Sequence, residues 1–544
     1  MSSKEKWIAI IWLVITVLIA CLIYFFASVS DKRVAGNTVL LGLLAAALAI
    51  PGGAITAWAA MGRGLFSRLL LISCVGLLFV PLFLQVAAWD SALGKLGWFS
   101  SAQGQVVQPL VAGWPAAVWV HALAAIPQVA IVFLLGLSTG SRVFEDQALL
   151  ETGRWNVFAH VTLPRLAPLI LIAGLWVMVS CAREIAATDL YKIGTLAEQI
   201  YLGFSLGQFN PIQGTWSAEQ LADAAATGPL ITIAVVLWLA ASAVWLFFSA
   251  TGIDAEEADQ QRPLQQKRST GGQTVAAFSM LLIMVAVPVW NLFFRAGFFV
   301  APVDGKPVQS WSIEQVGVSI ARVFRDFSTE FSWSLVIALV SASVILLIVV
   351  PFVWAAATSR AARLSLVIVT GLTCAIPGPL IGTWLSRGLG SLTSDTMIWL
   401  YDRTIFAPVV ACVLFCWPVA ALVAWFVFRK VAVDSLESAR LEGAGWWSRF
   451  FQFAVAGNRT ALAGCWLITL ALCFGELSAS QMVLPPGMDT VPRLTLGLLH
   501  AGVDEMTAAL TIVTVSGIVL VSLPGWLLLR IAGRRVDTIE AGKN

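Results

Sequence analysis

The chain has 544 residues, of which 59% are hydrophobic and only 12% are charged. A typical soluble domain is about 25% charged, so this chain carries too little charge to cover the surface of a soluble protein. The composition excludes a soluble globular enzyme and a disordered chain, and the net charge of +3 offers no broad basic surface for nucleic acid. The sequence therefore predicts an integral membrane protein.

Apolar runs follow one another along the whole chain, and each is long enough to cross a bilayer as a helix. The runs are continuous rather than alternating, which predicts helices and not the strands of a barrel. Twelve spans are predicted, at 7–29, 35–61, 66–90, 114–140, 165–189, 227–251, 273–296, 333–358, 361–385, 404–429, 459–482 and 509–533. Most Lys and Arg residues fall in segments that are cytoplasmic if the N-terminus is inside, so both termini are predicted to be cytoplasmic.

A polar, Gln-rich stretch at 253–272 lies near the middle of the chain and is predicted to be a cytoplasmic linker. It separates an N-terminal half, 1–252, from a C-terminal half, 273–544, each with six predicted helices. Similar residues recur at nearly constant offsets of 292 to 296: Trp58 and Trp354, Pro81 and Pro377, Glu145 and Glu437, Gly153 and Gly445, Trp155 and Trp447, Glu184 and Glu476, Thr195 and Thr490. This predicts a parallel repeat about an axis along the membrane normal.

Two predicted cytoplasmic segments, 144–168 and 436–460, open with an acidic residue and carry apolar residues at helical spacing. This pattern is typical of a short amphipathic helix lying along the membrane face, and an ordinary interfacial connector is the alternative.

The second segment fits the E-A-A-x-x-x-G pattern of ATP-binding-cassette importer permeases, with Glu437-Ser438-Ala439 and then Gly443, although Ala456 replaces the final Pro. The first segment opens with Glu145-Asp146-Gln147 and ends in the Leu-Pro of the pattern at Pro164, but Glu151 replaces the Gly. The chain resembles this family. The resemblance implies ATPase-coupling roles for Glu145, Asp146, Gln147, Glu151, Gly153, Pro164, Glu437, Ser438, Ala439, Gly443 and Gly445, with Gly153 a candidate for the tight turn that Glu151 disfavours.

The family resemblance implies that these segments dock on a separate ATPase. The sequence has no G-x-x-x-x-G-K-[ST] phosphate loop, so the chain is expected to be a transport subunit and not an enzyme. The expected partners are a homodimeric ATP-binding-cassette ATPase, which binds the ATP and Mg, and a periplasmic or extracellular solute-binding protein. No cofactor is expected on this chain, which would lie in a bacterial cytoplasmic membrane.

A second motif begins at Gly475-Glu476-Leu477-Ser478-Ala479 and continues through Pro485-Pro486-Gly487 to His500. It resembles the fused two-half permeases of the ferric-iron and thiamine importer group. The resemblance implies an all-α membrane fold and makes ferric iron the expected solute, while thiamine, phosphonate and other small solutes stay open.

Arg183, Glu184 and Glu476 are charges deep in apolar runs, and with Ser478 they are predicted to form a pathway or gate. Structural support of nearby helix ends is the alternative, and direct ligation of a cation is a narrower case of the pathway role. The cysteines and histidines show no metal-ligand spacing, and no metal site is predicted. A charged outer loop near 298–332 is predicted to be solvated or to contact the binding protein.

A twelve-helix secondary transporter is the alternative class of protein. It would carry an Asp-Arg-rich motif between its second and third spans, whereas residues 61–68 read MGRGLFSR and contain no Asp.

Overall fold

The computed structural model describes residues 29–94, 96–101, 112–138, 143–206, 270–303, 306–390, 394–428 and 433–541. Over these residues the protein is helical apart from one two-stranded hairpin, and its long apolar helices make it an all-α membrane protein. The predicted spans 7–29 and 227–251 and most of the predicted linker lie outside the described residues.

Helices before the predicted linker are α1 (Val29–Ala60), α2 (Leu65–Leu77), α3 (Leu82–Leu93), α4 (Trp98–Ser101), α5 (Gly113–Ser138), α6 (Val143–Glu151), α7 (Arg154–Val157), α8 (Leu163–Arg183), α9 (Ala186–Leu190) and α10 (Leu196–Ser205). A π-helical turn, Phe158–Thr162, joins α7 to α8.

The elements after it are α11 (Gly271–Leu281), α12 (Val287–Ala296), β1 (Phe298–Val303), β2 (Lys306–Trp311), α13 (Ile313–Asp326), α14 (Ser328–Thr358), α15 (Arg360–Ala375), α16 (Gly378–Gly390), α17 (Asp395–Arg403), α18 (Phe406–Phe428), α19 (Val433–Leu441), α20 (Trp446–Arg449), α21 (Arg459–Phe474), α22 (Val491–Ala501) and α23 (Glu505–Ala541). The remaining described elements are the π-helical turns Leu282–Ala286 and Phe450–Ala456 and a 3₁₀ turn, Ser480–Met482.

Within the described ranges, six helices are long and apolar enough to span a membrane, or nine if each of three bent pairs counts as one span. The predicted total of twelve and the two-half layout therefore stay predictions.

Two predicted spans are bent pairs of helices. The span predicted at 66–90 bends by 114° between α2 and α3, and the span predicted at 361–385 bends by 96° between α15 and α16. Pro81 is the N-cap of α3, and Pro377 lies between α15 and α16. Proline lacks an amide hydrogen and disfavours helix in the residue before it, so each apolar run breaks at its proline.

Two further predicted spans end earlier than their hydropathy suggests. The span predicted at 165–189 ends at Arg183, where Glu184 adopts an extended conformation, and the span predicted at 459–482 ends at Phe474. Glu184 and Glu476 therefore lie just beyond helix ends and not within helices.

The predicted outer loop is folded. Strands β1 and β2 pair antiparallel from Phe298–Trp311 to Val303–Lys306, and α13 follows them. The indole of Trp311 donates to the Phe294 carbonyl at 2.9 Å and stacks on the Phe294 ring, which anchors the hairpin on α12. The region is therefore an ordered hairpin and helix rather than an irregular loop, and its charged residues Arg322, Arg325 and Asp326 are exposed.

Small residues bring the helices before the predicted linker into close contact. A Cβ atom at Gly53 would lie 2.5 Å from Val129 on α5, and one at Gly52 would lie 2.8 Å from Ile126. In a bilayer, where lipid is as apolar as the side chains, such close backbone approach is a main source of helix association. This packing holds α5, the helix that carries His121, against α1.

Candidate functional site

A cavity of about 220 Å³ lies where the α2–α3 break meets the ends of α8 and α21. Its lining comes from both sides of the predicted linker: α5 and α8 contribute on one side, α18 and α21 on the other. The polar and charged lining residues are Gln85, His121, Gln128, Ser180, Arg183, Glu184, Glu476 and Ser478. The structure thus brings together the four residues predicted for a pathway or gate.

The two glutamate side chains fold back onto their own backbone. Glu184 Oε1 accepts a hydrogen bond from the Ala186 amide at 3.0 Å. Glu476 Oε1 accepts from the Ala479 amide at 2.7 Å, and its Oε2 accepts from the Ser480 amide at 3.0 Å. Carboxylates at this position satisfy the free amides that begin the next helical turn. Of the roles left open by the sequence, this geometry favours structural support of the chain turn over direct ligation of a cation.

Arg183 ties the two sides of the cavity together. Its Nη2 donates to the Phe415 carbonyl at 3.2 Å, and its guanidinium lies 4.2 Å from the centre of the Phe415 ring. A cation over an aromatic face is attracted by the ring, and more so away from water. Its buried Nε has no hydrogen-bond partner within the described part of the chain.

The loop from Gly475 to Ala479 packs closely against both helix breaks, the one at Pro81 and the one at Pro377. A Cβ atom at Gly475 would lie 2.3 Å from Cγ of Pro81. At the other break, a Cβ atom at Gly378 would lie 2.4 Å from Cβ of Ser478. Neither glycine position leaves room for a Cβ atom. The segment that carries Glu476 and Ser478 therefore packs tightly against the helix bends at Pro81 and Pro377.

His121 is a cavity residue for which the sequence predicts no role. It is only 4% exposed on α5, and its Nδ1 lies 2.8 Å from the Ala117 carbonyl. A carbonyl only accepts, so Nδ1 carries a hydrogen, and Nε2 has no partner among the described residues. The sequence does show that this histidine lies within a predicted span, but only the folded structure shows that it lines the cavity.

The two predicted coupling segments share one order of elements. Helix α6, the single turn α7 and a π-helical turn form the first, and α19, α20 and a π-helical turn form the second. Each is a chain of short helices rather than the one amphipathic helix that the sequence predicts.

The second coupling segment contains a tight turn that the first lacks. Gly443 has φ of +84°, and the Ala444 amide donates to the Ala439 carbonyl at 2.9 Å, which closes the end of α19. Gly153 does not adopt a left-handed conformation, so it does not supply the turn suggested for it.

Both coupling segments place large apolar side chains on the surface. Leu150 is 88% exposed and Leu441 89%, while Trp155 is 75% exposed and Trp447 63%. Most of the other residues predicted for coupling are also exposed: Gln147, Glu151, Gly153, Glu437, Ser438, Gly443 and Gly445. Ala439 is half-buried. The side chains of Glu145, Asp146 and Pro164 lie outside the described residues.

Within the described ranges, no group of three or more His, Cys, Asp or Glu side chains could hold a metal ion. Comparisons of the chain with protein-family models, curated proteins and solved structures found no match.

Proposed function

We propose that the chain is the membrane-spanning permease subunit of an ATP-driven, binding-protein-dependent solute importer of a bacterial cytoplasmic membrane. The observation that carries the proposal is the pair of coupling segments, which share an order of short helices and expose Leu and Trp side chains. These segments also hold the Glu437 to Gly443 pattern on which the family resemblance rests.

Exposed apolar side chains on such segments are expected to bury themselves against a partner. Two such segments in one chain suit a partner that is itself a homodimer, with one segment docked on each subunit. That partner would be the ATP-binding-cassette ATPase, and ATP and Mg would be bound there.

Paired features elsewhere support a chain built from two six-helix halves. Each proposed half has an apolar run bent at a proline, at Pro81 and at Pro377. Each also has a glutamate that accepts backbone hydrogen bonds after a long helix, Glu184 and Glu476, and a later helix with Thr at its N-cap. Rocking of the halves about a shared axis would open the cavity to one side of the membrane at a time.

Ferric iron is the proposed solute, on the resemblance of residues 475–500 alone. Because the carboxylates of Glu184 and Glu476 accept backbone hydrogen bonds, we do not assign them as iron ligands. Thiamine and phosphonate are the alternatives for the same class of importer.

The experiment is uptake into vesicles that contain the chain, its ATPase and its binding protein. Iron uptake that requires ATP hydrolysis supports the whole proposal, and ATP-dependent uptake of thiamine or phosphonate corrects only the solute. Uptake by the chain alone, driven by an ion gradient, would instead identify the twelve-helix secondary transporter.

A further inference from the structure

His500 and Asp189 form a contact between distant parts of the chain. His500 is near the end of α22, and Asp189 is in the short helix α9, which begins two residues after Glu184. His500 Nε2 lies 3.0 Å from Asp189 Oδ2, and His500 Nδ1 lies 2.8 Å from the Leu496 carbonyl. The side chain of Asp189 is only 7% exposed.

This geometry fixes the proton content of the pair. The Leu496 carbonyl can only accept, so Nδ1 carries a hydrogen. The second contact then needs one more proton between Nε2 and the carboxyl group. Whether that proton resides on the imidazole or on the acid, the pair holds one proton more than a neutral histidine beside a carboxylate.

Loss of that proton would leave the Asp189 carboxylate facing the lone pair of Nε2 in a mostly buried position. A buried charge without a partner is unfavourable, so the contact would open. Lys192 interacts with His500, Glu198 and Tyr201 interact with Asp189, and Arg493 interacts with Tyr201. Asp90 on α3 accepts a hydrogen bond from the Tyr191 hydroxyl beside α9 at 2.9 Å. Burial raises the pKa of Glu198 to about 7, so Glu198 gains negative charge near Asp189 as the pH rises over the same range, and the exposed Lys192 offsets part of that charge.

We propose that His500 and Asp189 form a proton-operated contact that holds α9 on α22 and thereby positions Glu184 at the cavity. His500 and Asp189 are positioning residues, because they act through the backbone that carries Glu184. The proposal concerns this chain alone and does not depend on the transported solute or on ATP.

The direction of the pH dependence follows from the hydrogen bond. His500 lies outside the candidate membrane spans of the described chain, and its bond to Asp189 raises its pKa above the ordinary value of 6.5. The stabilisation is therefore fully present below pH 6.5 and is lost as the pH rises through the raised pKa.

The first test is a titration of the histidines by carbon-13 NMR on the purified full chain. The sequence contains only three histidines, so His500→Gln assigns the signal. We expect a His500 midpoint above 6.5 that falls in Asp189→Asn. A midpoint that does not change in Asp189→Asn would overturn the proposal.

The second test measures amide hydrogen exchange in residues 185–191, corrected for intrinsic rates. We expect several-fold faster exchange at pH 8.5 than at pH 6 in the wild type and in Glu198→Gln, in which residue 198 cannot titrate. We expect a much smaller change in His500→Gln, in which position 500 cannot titrate. His160→Gln, at an exposed site in a coupling segment, is the matched control and should behave as the wild type. Exchange that is equal at both pH values in the wild type would remove the positioning role, even if His500 titrates as expected.

Discussion

At the scale of single residues, the structure gives Glu476 a specific task. Its two carboxylate oxygens accept separate backbone hydrogen bonds, from Ala479 and Ser480. In Glu476→Gln one carboxylate oxygen is replaced by the NH2 group of the side-chain amide, which cannot accept a hydrogen bond. One buried backbone amide therefore loses its acceptor. We expect a loss of about 1–3 kcal/mol in stability, measured by thermal unfolding in detergent.

Glu437→Gln is the matched control, because Glu437 is exposed and its loss should leave thermal unfolding unchanged. If Glu476→Gln unfolds as the wild type does but changes transport, Glu476 is a gate and not a structural cap.

Close packing at Gly475 makes a second prediction. In Gly475→Ala the new methyl group would overlap the Pro81 ring, because its ideal position is 2.3 Å from Cγ. Overpacking of this kind costs about 1–3 kcal/mol. Gly497→Ala is the control, since that helical glycine has no atom within 4 Å of its ideal Cβ and alanine favours helix. Equal melting temperatures for the two variants would contradict the close packing of Gly475 against Pro81.

At the scale of elements, Gly443 decides how α19 ends. Its φ of +84° is costly for a residue with a Cβ, by about 1–2 kcal/mol. We expect Gly443→Ala to alter the proposed docking surface and to reduce ATP-coupled uptake, while Gly497→Ala, at a glycine outside the coupling segments, should retain it. Uptake and ATP hydrolysis measured in the same vesicles make the comparison. Equal coupling in both variants would remove the tight turn from the docking argument.

The elements also show how far hydropathy can predict this fold. Run length located the long helices because burial in lipid requires about 20 apolar residues. It missed the bends at Pro81 and Pro377, because a bent apolar run has the same hydropathy as a straight one. It also missed the hairpin after α12, whose stability comes from contacts such as that of Trp311 with Phe294.

At the scale of the whole molecule, the predicted repeat relates Glu184 to Glu476 only through their sequence offset of 292. The structure places both at one cavity, with Arg183 and His121. Sequence spacing could not reveal that the carboxylates accept bonds from their own backbone, because that depends on where α8 and α21 end. Nor could it find the contact of His500 with Asp189, which are 311 residues apart.

Site-specific photo-crosslinking in native membranes tests whether both coupling segments dock on an ATPase, as we propose. A photoreactive residue would replace Trp155, Trp447 or, as a control, Trp399, which is 59% exposed on α17. We predict that positions 155 and 447 both capture a protein with a G-x-x-x-x-G-K-[ST] phosphate loop and ATPase activity, and that position 399 does not. Capture of no such ATPase at positions 155 and 447, or equal capture at position 399, would show that the coupling segments do not dock specifically on an ATPase.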